Sequence, residues 1–441
     1  MKKPMKILHT VESFPPDHGG MAEVVSRLSR SLSELGHDVT VATQTRGTEI
    51  THSKEFGFEV IRFPLSGNSF TGYRWGFSQA YQQLVMNGGF DVVTNFAAQQ
   101  AFTDFCLPLL PNLKAKKVFI PTGFSALHEP EFYGYFKDLR ESSRAYDAIG
   151  VLSLDYRDTN FYRSYLPGKL VLLPNGASAK EFPGSQPNSE IRRKFGIPEH
   201  HKLILHVGSH TGAKGHEEML EIFSRSASKN VTLVIAGNVS ERGCQDVCNR
   251  RARWITKFPG IRTTSGKFAI IKDVVSHPIK IGAGSLRNEK KVVLVDSNRA
   301  DIVALFKAAD LFFFPSNIEC SPIVLFEAMA AGVPSLCTEV GNIAELIRWG
   351  VVGQLLPSQL HYGRTKVLIP PSIAIFDEMV AELDKWKALA EARSQKFIEH
   401  FSWDHIGKCY ENLYSDLCVG SFDSNLSNET RYFDPRKAMS I

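Results

Sequence analysis

Short apolar segments alternate with amphipathic ones along this 441-residue chain. Residues 6–11 form the first apolar run, and apolar side chains at helical spacing follow a polar loop and end before Gly36. The next apolar run covers residues 38–43, so the predicted order is strand, helix, strand. Further strand candidates lie at residues 59–63, 91–95, 117–121, 148–152 and 169–173. This alternation is typical of a doubly wound α/β domain.

The same alternation restarts after a polar segment at residues 183–188. The candidates there are strand 202–207, strand 231–236, strand 292–295, helix 301–309 and strand 311–314. Residues 258–292 have no readable periodicity. The chain is long enough for two domains with separate cores, and the pattern predicts that both are α/β.

The segment after the strand at 311–314 contains the most informative chemistry. Ser321 is a candidate N-cap, and Pro322 suits the first turn of a helix that should continue to about residue 331. The free N–H groups at the start of such a helix can bind a phosphate. Glu319 precedes this position and Glu327 lies in the second turn, so two carboxylates flank the predicted phosphate site.

Two glycine-containing loops also precede predicted helices. Gly19 and Gly20 would let a ligand approach the backbone, because they have no Cβ. Lys214 ends a loop that begins at Gly208, where its charge would add to the helix N-terminus in binding a diphosphate. Each loop alone is weak evidence, since most lysines are simply solvated.

Together these segments resemble the retaining glycosyltransferases of family 4, which have the GT-B fold. Glu319 is followed after seven residues by Glu327 and then by Ala-Met-Ala-x-Gly-x-Pro, and the opening reads Pro-Pro-x-x-Gly-Gly. The resemblance implies an α/β GT-B architecture of two Rossmann-like doubly wound domains facing across a cleft. It assigns 1–180 to an N-terminal acceptor-binding domain and 181–400 to a C-terminal nucleotide-sugar-binding domain. A helix at 401–418 would return to the first domain, and the polar residues 419–441 are predicted to be disordered.

The resemblance further implies transfer of a hexosyl unit from a UDP- or GDP-sugar to an acceptor hydroxyl, with retention and without a metal or other cofactor. The acceptor would be a glycan, a lipid-linked molecule or a small molecule in bacterial glycan, lipopolysaccharide or exopolysaccharide synthesis. Glu319 would be catalytic and bind sugar hydroxyls of the donor, and Glu327 would bind the ribose. The residues expected to bind the donor are Gly19, Gly20, Gly208, Ser209, Lys214, Cys320, Ser321, Pro322, Ile323, Val324 and Glu327.

Two positions depart from the family pattern. Ser209 stands where the family usually has an arginine that binds the diphosphate. Thr122 stands at the nearest position to the histidine that the family commonly has after the strand at 117–121. His128 is the candidate catalytic replacement, and His18 is its rival on the acceptor side.

Two other functions stay open. One is a sugar phosphorylase or nucleotide-sugar epimerase with the same architecture, although the Gly-Gly loop together with the paired glutamates favours a transferase. The other is a catalytically weak nucleotide-sugar-binding protein, which the missing arginine and histidine would explain. The fold alone does not distinguish them, because function depends on the residues of the site.

Composition and charge restrict the cellular context. The net charge of +5 is too small to indicate nucleic-acid binding, but it is compatible with anionic substrates or a peripheral contact with an acidic membrane surface. No window approaches the ~20 apolar residues of a membrane span, and the start lacks the apolar core of a signal peptide, so a cytoplasmic location is expected. The seven cysteines predict reduced thiols. Cys244 and Cys248 lie one helical turn apart, but no matching His/Cys pair follows at zinc spacing, so no metal site is expected.

Overall fold

The computed structural model describes residues 3–439, with the exception of 18, 75, 125, 183–188, 239–241, 258–289, 297 and 362. The chain divides into two compact units. The first comprises Met1–Ser178, Glu319–Ile323 and Ile398–Ile441, and the second comprises Ala179–Ile318 and Val324–Phe397. The boundary predicted at 180 therefore lies beside the observed change of unit. The polar segment 183–188 and the segment without periodicity lie wholly or largely outside the described residues.

The first unit is built on an eight-stranded sheet in the order β10-β9-β8-β7-β1-β2-β4-β3. Its strands are β1 (Lys6–Thr10), β2 (Asp38–Gln44), β3 (Thr51–Glu55), β4 (Phe58–Phe63), β7 (Val92–Phe96), β8 (Lys116–Ile120), β9 (Ala148–Val151) and β10 (Leu170–Leu172). All neighbouring pairs are parallel except β3 and β4, which are antiparallel. A separate hairpin consists of β5 (Ser66–Asn68) and β6 (Gly72–Arg74). The parallel strands are apolar runs because helices cover both faces of such a sheet.

Helices surround this sheet and complete the first core. They are Gly20–Glu34, Ser78–Asn87, Ala101–Asp104, Tyr133–Ser142, Arg157–Arg163, Trp403–Val419 and Pro435–Met439, with 3-10 turns at Leu107–Asn112, Pro130–Phe132, Ser143–Ala145 and Pro167–Lys169. Aromatic rings fill much of the interior, for example Phe119 stacked on Tyr146 with centroids 5.0 Å apart. Among the described residues, no helix is both long and apolar enough to cross a membrane.

The second unit contains a six-stranded parallel sheet in the order β13-β12-β11-β14-β15-β16. The strands are β11 (Lys202–Val207), β12 (Val231–Ala236), β13 (Lys290–Val295), β14 (Leu311–Phe314), β15 (Ser335–Thr338) and β16 (Gly353–Leu356), beside a hairpin of β17 (Ser358–His361) and β18 (Arg364–Val367). The helices are Ser189–Lys194, His216–Arg225, Arg242–Lys257, Arg299–Ala308, Ile323–Ala330, Ile343–Arg348, Ile369–Ala381 and Leu383–Phe401. Strands β12 and β13 follow β11 on one side of the sheet, and β15 and β16 follow β14 on the other side. The gap between the carboxyl ends of β11 and β14 is therefore where such sheets bind ligands.

The tail differs from its prediction. The sequence predicts disorder for 419–441, but the structure packs the described part of this segment onto the first unit. Asn428 and Phe433 are buried, and the N–H of Leu172 in β10 donates a 2.7 Å hydrogen bond to the carbonyl oxygen of Glu429. A few anchoring side chains thus order a segment whose overall composition is polar.

A histidine is buried in the first core. His9 of β1 has no exposed surface; its Nδ1 lies 2.8 Å from the Ser29 hydroxyl and its Nε2 lies 3.3 Å from the Tyr414 hydroxyl. Tyr414 belongs to helix Trp403–Val419, so this helix contacts the first strand of the unit. Burial lowers the pKa of His9 to about 3. The imidazole therefore stays neutral in the folded protein at pH values where an exposed histidine is charged.

We expect His9 to make the protein less stable in acid. Below its ordinary pKa of 6.5 the unfolded chain binds a proton that the folded chain does not, so stability falls as the pH falls. Between pH 6.5 and about 4.5 this linkage amounts to roughly 2–3 kcal/mol. His9→Gln should remove that part of the pH dependence of the unfolding free energy. Denaturant unfolding between pH 4.5 and 6.5 measures this dependence, with His52→Gln, at an exposed histidine, as the control. If the unfolding free energy of His9→Gln changed with pH as steeply as that of the wild type, the prediction would be wrong.

Candidate active site

The loop that follows β11 forms one part of the candidate site. This lysine loop, residues 208–215, lies against the segment that follows β14. The N–H of Asn317 donates a 2.9 Å hydrogen bond to the carbonyl oxygen of Ala213, and the Ser316 hydroxyl lies 3.3 Å from the same oxygen. The structure thus brings together, within the second unit, two loops that the sequence singles out separately.

The lysine loop ends at a glycine that no other residue could replace without strain. Gly215 has φ +68° and precedes helix His216–Arg225, and a Cβ at this position would overlap the carbonyl oxygen of Pro315. Lys214 comes directly before this turn and is half-buried. Its carbons also pack near Gly208, where a Cβ would lie 3.5 Å from the Lys214 Cβ. Close backbone packing therefore fixes the stem of Lys214 beside the start of the helix.

Ser209, at the position of the missing arginine, is half-buried in the same loop. A hydroxyl at this position can donate one hydrogen bond but supplies no positive charge. In this loop the full positive charge comes from Lys214.

The segment Glu319–Ile323 belongs to the first unit, where side chains bind its backbone. The Tyr156 hydroxyl donates a 2.5 Å hydrogen bond to the carbonyl oxygen of Glu319, and the Asn175 amide donates a 2.8 Å bond to that of Ser321. Burial raises the pKa of Tyr156, so its hydroxyl keeps the proton that it donates. A Cβ on Gly123 would lie 2.6 Å from the Cβ of Cys320, so the loop after β8 also packs closely against this segment.

The residue before Gly123 is Thr122, which stands nearest to the family histidine. It has φ +62°, a left-handed conformation that is unusual for a β-branched residue. Beside it, the N–H of Gly123 donates a 2.9 Å hydrogen bond to the buried Asp158 carboxylate. Burial raises the pKa of Asp158 to about 6. Backbone strain and a buried acid next to Cys320 are features that proteins concentrate at functional sites.

A cavity of about 470 Å³ adjoins the same segment. Its lining residues are Leu127, His128, Tyr156, Arg157, Asn160 and Phe161. Tyr156 contacts both the cavity and the backbone of Glu319, so the cavity lies beside the signature segment within the first unit. His128, the predicted catalytic histidine, is part of this wall. Its rival His18 lies outside the described residues.

The second glutamate of the signature is buried in an ion-pair network. Glu327 is 3% exposed, and its Oε1 lies 2.5 Å from Nη1 of Arg299. Arg299 also pairs with Glu181, with Nη2 2.6 Å from Oε2. A buried carboxylate needs a partner of this kind because burial of an unpaired charge is costly. Arg299 therefore holds Glu327 in one orientation within the second unit.

Gly19 and Gly20 start helix Gly20–Glu34 and are exposed. A Cβ on either would meet no atom of the described residues within 4 Å. The φ of Gly19 is 164°, which is extended backbone open to any residue. Among the described residues there is space for a ligand next to this turn. Neither a steric contact nor the backbone conformation there requires a glycine.

Sequence reasoning missed three of these residues: Tyr156, Asn175 and Arg299. Asn175 lies in the Pro-Asn-Gly turn that ends the first domain, and an asparagine in such a turn was a usable signal. Tyr156 gave no signal, because its partner Glu319 lies 163 residues further along the chain. Arg299 was hidden because its helix was predicted to begin at 301 and begins at 299.

Two models of known protein families match this chain. A family model described as Glycosyltransferase Family 4 matches residues 18–179, and one described as Glycosyl transferases group 1 matches residues 201–363. Together they cover most of the chain.

Curated relatives match at low identity. The lipopolysaccharide glucosyltransferase WaaG of Escherichia coli is 24% identical over 343 residues, which is 75% of this chain and 79% of that protein. A GDP-mannose:cellobiosyl-diphosphopolyprenol alpha-mannosyltransferase of Komagataeibacter xylinus is 22% identical over 434 residues, 94% and 93% of the two chains. An uncharacterised glycosyltransferase of Methanocaldococcus jannaschii is 28% identical, but the match spans only 54% of its length.

Solved structures share the fold. A sucrose-phosphate synthase from Thermosynechococcus elongatus has a TM-score of 0.70 at 16% identity and covers 94% of this chain and 100% of its own. Anabaena HepE in complex with UDP and glucose has a TM-score of 0.64 at 17% identity, with 93% and 100% covered. At this identity the likeness shows the fold alone, which is the GT-B arrangement of two Rossmann-like domains.

Proposed function

Because the chain belongs to glycosyltransferase family 4, we propose that it transfers a hexosyl unit from a UDP- or GDP-sugar to an acceptor hydroxyl with retention of configuration. One observation carries the proposal: the lysine loop packs against the segment after β14, at the position between β11 and β14 where parallel sheets bind ligands. The motif residues of the second unit thus converge where a nucleotide diphosphate would bind.

Lys214 has the main electrostatic role in this proposal. The bond between the anomeric carbon and the diphosphate breaks as negative charge develops on the leaving group. A fixed ammonium group beside a helix N-terminus stabilises that charge without a metal ion. Backbone N–H groups of the loop, which begins with Gly208 and Ser209, would bind the same phosphates. The transfer step itself would therefore need no metal.

The two glutamates have different proposed roles. Glu319 would bind donor sugar hydroxyls next to the reacting carbon, while Tyr156 holds its backbone. Glu327 would accept hydrogen bonds from the ribose hydroxyls. Arg299, which pairs with Oε1 of that carboxylate, would hold it in place for this contact. The leaving phosphate would take the proton of the incoming hydroxyl. The two glutamates would therefore not act as the acid and base pair found in glycosidases.

The remaining donor contacts are backbone ones. Cys320, Ser321, Pro322, Ile323 and Val324 would line the sugar and diphosphate, with the start of helix Ile323–Ala330 providing N–H groups. Gly19 and Gly20 would let the donor approach the backbone at the first turn of helix Gly20–Glu34. A Cβ on either residue would project into the space that the donor would occupy.

We propose that the cavity lined by His128 and Arg157 receives the acceptor. Phe161 and Leu127 supply apolar surface, and Arg157 supplies a positive charge. This combination suits an acceptor with apolar and anionic parts, such as a lipid-linked glycan or a phosphorylated small molecule. The names of the E. coli and K. xylinus relatives, which refer to lipopolysaccharide and a diphosphopolyprenol, support this class. The protein would then work in the cytoplasm, in peripheral contact with the membrane.

A second function is favoured by Ser209. A loop without the family arginine binds diphosphate with one fewer charge, as expected for a protein that binds nucleotide sugars but transfers them slowly. A phosphorylase or epimerase has no comparable support among the described residues.

A donor panel tests the proposal. UDP- and GDP-linked glucose, galactose, mannose and N-acetylglucosamine are compared by thermal shift, and those that stabilise the protein are tested for release of UDP or GDP with and without acceptors. We expect one donor to raise Tm and to be turned over, with the anomeric configuration of the product retained by NMR. Binding without turnover would support the weak binder instead, and a product of inverted configuration would overturn the retaining mechanism.

A further inference from the structure

Two histidines and a cysteine converge in the second unit, outside the proposed transfer chemistry. Nδ1 of His210 lies 3.7 Å from Sγ of Cys244, and Nδ1 of His216 lies 3.9 Å from the same sulfur. The three ligand atoms all lie within 4.8 Å of one another. Both histidines are 2% exposed and Cys244 is partly exposed, so the cluster lies just below the protein surface.

We propose that His210, His216 and Cys244 bind a zinc ion that ties the lysine loop to helix Arg242–Lys257. In a tetrahedral zinc site the bonds are about 2.3 Å to sulfur and 2.0–2.1 Å to nitrogen, which places sulfur and nitrogen about 3.5 Å apart. The observed separations exceed this by only a few tenths of an ångström. A thiolate with two imidazoles is also a donor set that binds zinc in preference to magnesium or calcium.

A further observation is an unpartnered buried nitrogen next to this cluster. Nε2 of His206 has no hydrogen-bond partner among the described residues. Nδ1 of His206 must carry its proton, because it lies 2.9 Å from the Phe313 carbonyl oxygen, which can only accept. Nε2 of His206 therefore has a lone pair. Its ring centroid is 4.8 Å from that of His216, so this imidazole packs against one of the proposed ligands.

Zinc binding would be coupled to proton release. Neutral imidazoles and a thiolate are the forms that ligate zinc. Binding would release the thiol proton of Cys244 to solvent and leave the thiolate on the metal.

The competing explanation is a set of protein-only hydrogen bonds. The Cys244 thiol has one proton and can donate to only one of the two Nδ1 atoms, so the other imidazole would have to donate its N–H to sulfur. Sulfur is a weak acceptor, so that second hydrogen bond would contribute little. Zinc would use both Nδ1 atoms and the sulfur at once.

The proposed ion would connect parts of the chain that are distant in sequence. His210 belongs to the lysine loop, His216 follows it directly, and Cys244 lies in the first turn of helix Arg242–Lys257. Zinc would therefore restrict the loop that carries Lys214 without touching the donor. Whether the chain transfers sugar is a separate question, because metal binding can be measured without a substrate.

Cobalt(II) titration tests the site with the metal alone as probe. Untagged protein is stripped with a chelator, kept reduced with a phosphine, and titrated with Co²⁺ while the thiolate-to-cobalt absorption is followed. We expect one equivalent to bind with the spectrum of a tetrahedral thiolate site, and Zn²⁺ to displace it. Cys244→Ser should abolish the thiolate band and weaken binding at least about 100-fold. The matched control is Cys418→Ser, which alters an exposed cysteine and should keep the band.

Two further results decide the proposal. If Cys244→Ser does not fold, His210→Gln replaces it, and a full-strength band in folded His210→Gln overturns the assignment. The absence of a thiolate band in the wild-type protein overturns it as well. Zinc should also slow amide hydrogen exchange in residues 208–215, and unchanged exchange there would show that the metal does not tie the loop.

Discussion

Lys214→Ala is expected to lower kcat/KM for the nucleotide-sugar donor by roughly 10²–10³-fold, because it removes the only full charge that the lysine loop offers to the leaving diphosphate. The carbons of this side chain pack near Gly208 at the other end of the loop. The loss should appear in kcat as well as KM, since charge on the leaving group is greatest in the transition state.

Binding measurements separate this role from a general loss of structure. Calorimetry with UDP, UMP and uridine should show that Lys214→Ala weakens the diphosphate most and the nucleoside least. Lys385→Ala, at a side chain that is 78% exposed, is the control and should change neither rate nor affinity. An unchanged preference for UDP over uridine in Lys214→Ala would mean that this lysine is an ordinary solvated one.

Gly215→Ala is expected to destabilise the second unit by about 3 kcal/mol or more and to weaken donor binding. The change forces a side chain into a left-handed conformation at φ +68°, and its Cβ would overlap the carbonyl oxygen of Pro315. The loop would have to move away from β14, which would break the hydrogen bond between Asn317 and Ala213. Thermal unfolding and donor titration measure the two effects.

The matched control for this change is Gly420→Ala. Gly420 also has a left-handed conformation, with φ +76°, but a Cβ there would meet no described atom within 4 Å. Its replacement should cost only the conformational strain, about 1 kcal/mol. Equal destabilisation by the two variants would show that contact with Pro315 does not constrain the lysine loop.

The sequence predicted the central strands of both large sheets, but of their four edge strands it did not predict β3 and β16. Strands β1, β2, β11, β12 and β14 are largely buried because both faces of a parallel sheet are covered, and each was recognised from its apolar residues. Strand β3 reads Thr-His-Ser-Lys-Glu and is largely exposed at the sheet edge. A polar edge strand has no apolar periodicity, so only its pairing with β4 reveals it.

The candidate site was predictable where local chain chemistry defines it. Lys214 and Glu319 stand next to glycines and prolines that mark loops and helix starts, and these signals are readable from a few neighbouring residues. Tyr156 and Arg299 act through partners that are distant in sequence, so no local pattern points to them. The roles predicted for the site residues themselves stay predictions until donors are tested.

The cysteine and histidine cluster shows a different limit. The sequence predicts no metal site, because no His/Cys pair follows Cys244 and Cys248 at zinc spacing. The histidines that approach Cys244 instead precede it, by 34 and 28 residues, and belong to the loop and helix after β11. Only the parallel order of β11 and β12 brings that loop beside helix Arg242–Lys257, and a spacing rule does not contain that information.

The carboxyl-terminal tail has a protective consequence for the first sheet. Strand β10 is its last strand on one side, and Glu429 takes up the N–H of Leu172 along that margin. An uncovered margin offers free donors and acceptors to strands of other molecules, which is a common start of aggregation. The packed tail therefore occupies a backbone donor at this edge with which a strand of another copy could otherwise pair.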